Sequence, residues 1–567
     1  MVVGEAWGDS ERTAGRPFVG ASGRELDAMF VESGIDPNNV FYTNLVNEKP
    51  NANDMRAMLY DNKHKGGEIL GDGIKPNERL LEGLRRLDAQ IEAVKPRIII
   101  ATGNWPLWYL TGKATPKTSR GFKLPTGIDT WRGSQLFLVA SPFRTLSGIP
   151  VLPVYHPAAI LRMYSWRKIT VQDLTRVHDF LANGSWKDED AANRVNIIRP
   201  SSKELASFVN AWIKEPHIPI VCDLETKSFR PHIIGLTRDG KTNIAIPFFA
   251  ITPDGFRPLY SPLEFREVYK LLIKLFSSPG MQFVGQNWAY DVQYIIKFFF
   301  HRPILYWDTM VAQHVAFPIL RKGLDFLASM YCKHYVYWKD DLKESTDNMD
   351  WEAACLYNCE DLWRTYEIWQ VQENVLRALG KYHLMAERME VWVAAVDMME
   401  EGVRVNKQMK DAQRMKLLQT AWAIGMWLEE IMPDYLKPQG KDAKPWFSSP
   451  QHLSYILYDR LNLKPVIDRS TGSRTTNKEA LVWLSERYPQ WSGLLSAILL
   501  LRSVNVVAGN ILKAPLESDG RMRTSYNVAG PITYRLASSK NVWDGGGNMQ
   551  NILRDRDDMD LFEQDLI

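Results

Sequence analysis

Residues 218–228, IPIVCDLETKS, constrain this chain more than any other stretch: an apolar run leads into Asp223 and Glu225, separated by Leu224. Read as a strand, with its period of two, the run sends both carboxylates to one face. Two acids side by side repel each other and become favourable together where a hard divalent cation, which prefers oxygen ligands, lies between them. Alone, such a pair also fits a solvated strand edge. Two further segments add to it. FVGQNWAYDVQYI, 283–295, reads as a strand, a turn and a helix start carrying Asn287 and Asp291. LYNCEDLWRTYEIW, 356–369, reads as a helix with Tyr357 and Asp361 one turn apart on the same face. The three segments together supply four carboxylates and a phenol.

Composition limits the partners these groups could serve. The 69 Lys and Arg against 66 acids give a net charge of +3, so no global basic field exists and a nucleic-acid partner must be argued locally. The four cysteines, Cys222, Cys332, Cys355 and Cys359, contain no CxxC pair and support neither a disulfide framework nor a four-thiolate metal site. A reducing, cytoplasmic setting is expected, which is the host cytoplasm if the chain is viral. The longest apolar run, LLSAILLL before Arg502, falls short of the roughly 18 residues of a membrane span, and the N-terminus lacks a charged region followed by an apolar one, so no membrane partner is expected.

A chain of 567 residues needs roughly three or four domains. The polar stretch ANGSWKDEDAANR, 182–194, separates two strand-and-helix regions, and from about 352 the pattern turns helical. The expected division is 1–190, 191–379 and 380–567. Twenty tryptophans are scattered through every segment, a distribution that suits cores better than base stacking. His301 and His314 are taken as structural.

The middle region resembles the DnaQ-like 3′-5′ proofreading exonuclease domain in the form carried by family A DNA polymerases. The three acidic segments match its motifs in order, composition and spacing, and DTMVAQHVAFP from Asp308 is similar to the helix that follows the second motif. The resemblance implies an RNase H-like fold and a hydrolysis supported by two Mg²⁺ or Mn²⁺ ions. Asp223, Glu225 and Asp361 would hold the ion that activates water, Asp223 and Asp291 would support the second, Tyr357 would orient the attacking water, and Asn287 would hold the substrate strand.

From 380 onward the chain resembles the polymerase region of the same family. MMEEGVRVN, FSSPQHLSYIL and TTNKEALVWL look like the entry to that region and the helix starts of a thumb, and SDGRMRTSYNVAGPITYRLASS looks like the approach to the palm. Arg535 stands where the family has the arginine of its TGR motif, with Tyr534 in place of the glycine, and NMQNI corresponds to NLQNI after an inserted KNVWDGGG. The resemblance implies DNA contacts from Arg502, Arg535, Asn548, Gln550 and Asn551. The last stretch, DLFEQDLI, looks like the start of the palm strand that carries motif A, with Asp565 as its metal-binding carboxylate once the rest of a palm is present. On that expectation the palm and fingers belong to a separate C-terminal polymerase chain, or were lost through an interrupted gene or a cloning choice.

The first 165 residues resemble the iron–sulfur type of uracil-DNA glycosylase. The match runs through GEAWG, GRPFVGASG, FYTNLVNEKP, PRIIIATGNWPLWYLTG and VLPVYHPAAILR in the family's order. It implies a pocket in which Phe18 stacks on a flipped uracil, Asn44 reads its polar edge, His156 stabilises charge on the departing base, and Glu5 and Glu11 lie near the water and the sugar. Trp7 replaces the loop proline, and Glu48 falls where a cluster cysteine belongs, so no iron–sulfur cluster is expected.

The expected fold class is therefore multidomain α/β: a three-layer α/β/α glycosylase-like domain, an RNase H-like exonuclease domain, and a mostly helical thumb with the start of a palm. The expected function is the N-terminal part of a family A DNA polymerase acting in replication or repair, with DNA as its partner through a primer–template and a single-stranded 3′ end. Two alternatives stand beside it: a self-sufficient exonuclease with a DNA-gripping thumb, and a non-catalytic docking module.

Overall fold

The computed structural model describes all residues except 62, 65–68, 71–72, 120, 187, 189, 340–349, 438–444, 469–471, 510–511 and 550–567. Gln550, Asn551 and Asp565 lie outside the described residues. The chain divides into two compact units, Met1–Ala386 and Glu387–Ile567.

Among the described residues, the first unit contains two large sheets and two short hairpins, Lys117–Ser119 with Phe122–Leu124 and Phe249–Thr252 with Gly255–Pro258. One sheet is built from β1 (Val2–Ala6), β2 (Tyr42–Val46), β3 (Ile99–Thr102), β4 (Leu136–Phe137) and β5 (Pro150–Val154) in the order β2-β1-β3-β5-β4. Its strands are parallel except β4, which pairs antiparallel with β5. Strand residues alternate between two cores. Val2, Ile100, Leu152 and Val154 join one, with Leu26 and Phe30 from α2 (Ala21–Glu32) and Leu174 and Val177 from α5 (Trp166–Asn183). Val3, Leu45, Ile99 and Val151 join the other, with Leu84 and Ile91 from α3 (Glu78–Val94) and Leu107's neighbours Trp105 and Trp108 from α4 (Asn104–Thr111). Continuous apolar strands of this kind are what a parallel sheet covered on both faces requires, and the region is a three-layer α/β/α sandwich.

The second sheet contains β6 (Val195–Ile198), β7 (Ile220–Lys227), β8 (Arg230–Thr237), β9 (Thr242–Pro247), β10 (Gln282–Gly285) and β11 (Ile304–Asp308), ordered β11-β10-β7-β8-β9-β6. The meander β7-β8-β9 is antiparallel, while β10 joins β7 in parallel. The acid-bearing strand is thus central and held on both edges. The long helix α8 (Trp351–Ala378), capped by the Asp350 side chain, lies across the sheet. It approaches closely at Gly235, where a β-carbon would stand 2.0 Å from Asn358 Oδ1.

The two sheets share one interior. Tyr155, Trp131 and Leu174 of the first part and Phe326, Leu327, Tyr335, Tyr337 and Trp338 of the second belong to a single apolar cluster. Within it, Arg132 donates through Nε and Nη2 to both oxygens of Asp173 at 2.8 and 2.6 Å, and through Nη1 to Ser329 Oγ on α7 (Leu324–Tyr331) at 2.9 Å. Arg176 donates to Ser329 O at 2.7 Å and Cys332 O at 3.1 Å.

In the second unit, α9 (Lys407–Ile431), α10 (Lys478–Arg487) and α11 (Ser492–Gly509) pack around Leu428, Trp446, Phe447, Leu457, Leu481, Leu495 and Ile498. Contrary to the expectation from the apolar runs, Pro489–Gly509 is by length and composition apolar enough to cross a membrane, with mean hydropathy 1.6. The reason lies in this core: Leu494, Leu495, Ile498 and Leu501 fill it, and Arg502 extends the helix while its guanidinium donates to Thr476 O at 2.6 Å. Two short antiparallel pairs complete the unit, Val403–Arg404 with Arg521–Met522 and Thr524–Asn527 with Ala537–Lys540.

Asp173 is fully buried between two guanidinium groups. Asp173→Ala would strand both cations, a change that costs about 3–5 kcal/mol where a buried pair is broken. A marked fall in the guanidinium midpoint of the first unfolding transition is expected, and Asp173→Asn should fall between the two.

Candidate nuclease centre and glycosylase-like pocket

The strand period places Asp223 and Glu225 on one face of β7, and α8 delivers Asp361 to them. One ligand oxygen from each of the three carboxylates lies within 4.8 Å of the others. Asp291 begins α6 (Asp291–Phe299), where its carboxylate sits at a helix N-terminus and its Oδ1 accepts from Leu224 N at 3.1 Å. Tyr357 stands one turn before Asp361 on α8, its phenol close enough to feel that carboxylate's charge. Asn287 occupies the turn between β10 and α6 with φ 55°, its side chain exposed. Asp308 fixes this turn by accepting from Asn287 N at 3.1 Å and Trp288 N at 2.9 Å.

Several groups at this centre had no signal in the sequence. Asn358 Nδ2 donates to Asp223 Oδ2 at 2.8 Å. Trp338 Nε1 donates to Asp361 Oδ1 at 2.8 Å, and Lys339 Nζ lies 3.5 Å from Asp361 Oδ2. Gly235, the register partner of Asp223 on β8, makes room for Asn358.

The electrostatics follow from burial and like charge. Asp223 is pushed well above the usual carboxylate range by burial and then by Glu225, Asp361 and Asp291. Burial and Asp361 raise Glu225 to about 7. Burial likewise raises Asp291 and Asp361, the latter against the pull of Lys339 and Trp338. Burial opposes the charge on Lys339, yet Asp361 and Asp223 hold its ammonium above its ordinary range. The Tyr357 phenol is pushed far up by burial and by the negative charge of Asp361 and Glu225, and stays protonated. An all-oxygen, anionic donor set that binds protons too tightly fits a hard divalent cation, which would replace them.

The predicted pocket residues of the first sheet also converge. Glu5, Asn44 and His156 stand in or just beyond the C-terminal ends of β1, β2 and β5, the edge of a parallel sheet where ligands bind. A β-carbon on Gly4 would meet Asn44 Oδ1 at 2.2 Å and the Phe18 ring at 2.8 Å, and one on Gly103 would meet Glu5 Oε1 at 2.7 Å and His156 Cβ at 3.4 Å. The two glycines mark a cradle floored by backbone. Phe18 takes φ 56°. Glu11 does not point freely into it: its carboxylate accepts from Gly8 N at 3.1 Å and Gly20 N at 2.8 Å and so ties down the loop. Burial raises Glu5 to about 7 and, with the charge of Arg162, lowers His156 to about 4. His156 Nδ1 accepts from Ala158 N at 3.2 Å, which leaves the proton on Nε2. Glu48 pairs with Arg79 at 2.7 Å.

In the second unit Arg535 is exposed, Asn548 Oδ1 accepts from Ser538 Oγ at 2.7 Å, and Arg502 is engaged with Thr476 as above. His314 is fully buried and His301 exposed.

Comparison with known proteins covers the regions that carry both sites. The uracil DNA glycosylase superfamily model matches residues 1–175 and a 3′-5′ exonuclease model matches residues 200–377. The DNA polymerase of Bacillus phage SP01 is 21% identical over 95% of this chain and 62% of its own length. DNA polymerase I of Borreliella burgdorferi is 24% identical over 62% of this chain and 36% of its own length. A type-4 uracil-DNA glycosylase of Thermotoga maritima is 30% identical over 32% of this chain and 77% of its own length. The chain therefore spans less than two thirds of the polymerases it matches. Through its first 175 residues the chain belongs to the uracil DNA glycosylase superfamily. Residues 200–377 match a 3′-5′ exonuclease model, and over most of its length the chain is similar to DNA polymerases.

Cation binding and protonation compete at the carboxylates. The Glu225 pKa rises from 4.5 to about 7 on folding, so without a cation its stabilising contribution is complete below about pH 4.5 and is lost as pH climbs through about 7. Melting in EDTA should therefore fall over that window. The rise in Tm produced by Mg²⁺ should be larger near pH 8 than near pH 6. Glu5 shifts with the same sign, but only the cluster makes the difference between the Mg²⁺ and EDTA curves depend on pH.

Proposed function

We propose that this chain is the N-terminal part of a family A DNA polymerase and that its centre removes nucleotides from the 3′ end of DNA. The observation that carries this is the convergence of Asp223, Glu225 and Asp361, from a strand and a helix far apart in sequence, with Asp291 and Tyr357 beside them. Two divalent cations, Mg²⁺ or Mn²⁺, held by Asp223, Glu225, Asp291 and Asp361, would supply charge stabilisation to both the attacking and the leaving oxygen of an in-line displacement at phosphorus. Tyr357, protonated and beside Asp361, orients the attacking water. Asn287, exposed on a turn that Asp308 fixes, contacts the terminal nucleotides, and Lys339 offsets part of the anionic charge. Arg502, Arg535 and Asn548 are assigned to duplex contact. The proposed domain limits are 1–190, 191–379 and 380–567. Polymerisation needs palm and fingers, which the rest of the polymerase supplies, on the same or a separate chain.

A second reading attaches to the first pocket, and the neutral His156 favours it. An imidazole with its pKa at about 4 and its proton on Nε2 donates a hydrogen bond without carrying charge, which suits an anionic base as it leaves. Phe18 and Asn44, side by side over Gly4, offer a stacking face and an amide. In uracil excision the glycosidic C–N bond breaks, water adds its oxygen to the sugar carbon, and Glu5 is placed to take the water's proton.

Incubation of the full chain with a 5′-labelled primer–template should give a Mg²⁺-dependent 3′-shortening ladder that EDTA abolishes. Asp223→Ala should reduce it by several orders of magnitude, and unchanged shortening in that variant would remove the nuclease reading. A parallel strand with one uracil should become alkali-labile, with His156→Ala strongly impaired. An intact strand would leave the pocket a binding scaffold.

A further inference from the structure

The segment 332–339, between α7 and the undescribed residues that precede α8, forms no helix or strand, yet it delivers two side chains onto Asp361. Its rear face is held by the glycosylase-like region. Gln135 N donates to Tyr335 O at 2.9 Å, Tyr337 N donates to Ser134 Oγ at 3.2 Å, and Arg176 Nη2 donates to Cys332 O at 3.1 Å. The Trp131 ring meets Tyr337 edge-on at 5.1 Å. Its front face supplies Trp338 Nε1 to Asp361 Oδ1 and Lys339 Nζ to Asp361 Oδ2. Ser134 is fully buried, and the structure offers it no solvent to replace Tyr337.

We infer that the glycosylase-like region is a working part of the nuclease centre: through Ser134 and Gln135 it fixes the 332–339 strap, and the strap fixes Asp361. Trp338 and Lys339 are positioning residues, because they act on a carboxylate rather than on substrate. The route also runs back toward the first pocket. Arg132, two residues before Ser134, lies 6.0 Å over the Tyr155 ring, and Tyr155 adjoins His156. The strap has no regular backbone ladder of its own, so its geometry is set by these bonds together with those from α8, where Arg364 donates to His334 O at 3.5 Å and Val336 O at 3.4 Å and Glu367 Oε1 accepts from Lys333 N at 2.8 Å. The inference rests on the nuclease reading above.

The test uses the full chain, a 5′-labelled single strand, and two readouts: the Mg²⁺ concentration at half-maximal rate and hydrogen exchange of the 335–339 amides. Trp338→Phe keeps an aromatic ring in the core and removes the N–H. It should raise the half-saturating Mg²⁺ or lower the rate by about ten- to a hundredfold, the usual effect of losing a partner that orients a metal ligand. Ser134→Ala, in the other domain, should shift the same quantity by about fivefold and speed exchange at the Tyr337 amide, while Ser134→Thr restores both. Lys339→Gln, less buried, removes a cation that offsets the acids and should lower the half-saturating Mg²⁺ while speeding exchange at the 335–339 amides, the readout that stands if a core variant melts early. Asp223→Ala inactive with Ser134→Ala and Trp338→Phe indistinguishable from the parent in both readouts would overturn the coupling alone. Asp223→Ala fully active would overturn the nuclease reading beneath it.

Discussion

Repulsion among buried carboxylates is the constraint around which the first unit is organised. Two unit charges 4 Å apart at an effective dielectric near 20 repel by about 4 kcal/mol, and three ligand oxygens here fall within 4.8 Å of one another. Lys339 is one cation against four acids. The fold tolerates the arrangement by giving three of the four carboxylates a fixed partner: Asn358 for Asp223, the Leu224 amide for Asp291, Trp338 for Asp361. The remaining lone pairs face one another, and this is the geometry that protons or divalent cations complete. A central strand held on both edges and a long helix across it prevent the side chains from relieving the repulsion by moving apart.

The first pocket solves the opposite problem. There burial is the largest influence on each group: it raises Glu5 to about 7 and, helped by the charge of Arg162, lowers His156 to about 4. The imidazole is therefore neutral near pH 7, while Glu5 is poised between its two protonation states. On the functions proposed above, a centre suited to cations and a pocket suited to an uncharged base sit in one unit, distinguished by whether acids are clustered or separated.

Much of this was legible from residues. Asp223 and Glu225 follow from period two, Tyr357 and Asp361 from the i, i+4 relation, and the pocket residues from the resemblance of GEAWG, GRPFVGASG, FYTNLVNEKP and VLPVYHPAAILR to the glycosylase motifs. Trp338, Lys339 and Asn358 were not legible. Trp338 and Lys339 come from a stretch without periodicity, and the role of Asn358 depends on a glycine on the facing strand, a relation that exists only once α8 lies on β8. The apolar length of α11 misled for a related reason: its hydrophobicity serves a small core in which Trp446, Phe447 and Leu457 approach from both sides, and no sequence window contains those neighbours. The readings placed on Gln550, Asn551 and Asp565 fall outside the described residues.

The two regions of the first unit match separate families over 1–175 and 200–377, which suggests modules joined by a linker. The interior argues otherwise. Arg132 and Asp173 lie within the first match, Arg176 directly follows it, and Ser329 and Cys332 lie within the second, so the junction draws on residues of both. Burying two guanidinium groups and a carboxylate there is expensive unless every donor is placed, and the placed acceptors include the backbone carbonyls of Ser329 and Cys332. Separating the regions would expose an apolar core and strand those charges together. An interface of that character resembles a domain interior rather than a hinge, and Trp131 and Ser134 on one side meet Tyr337, the neighbour of Trp338, on the other.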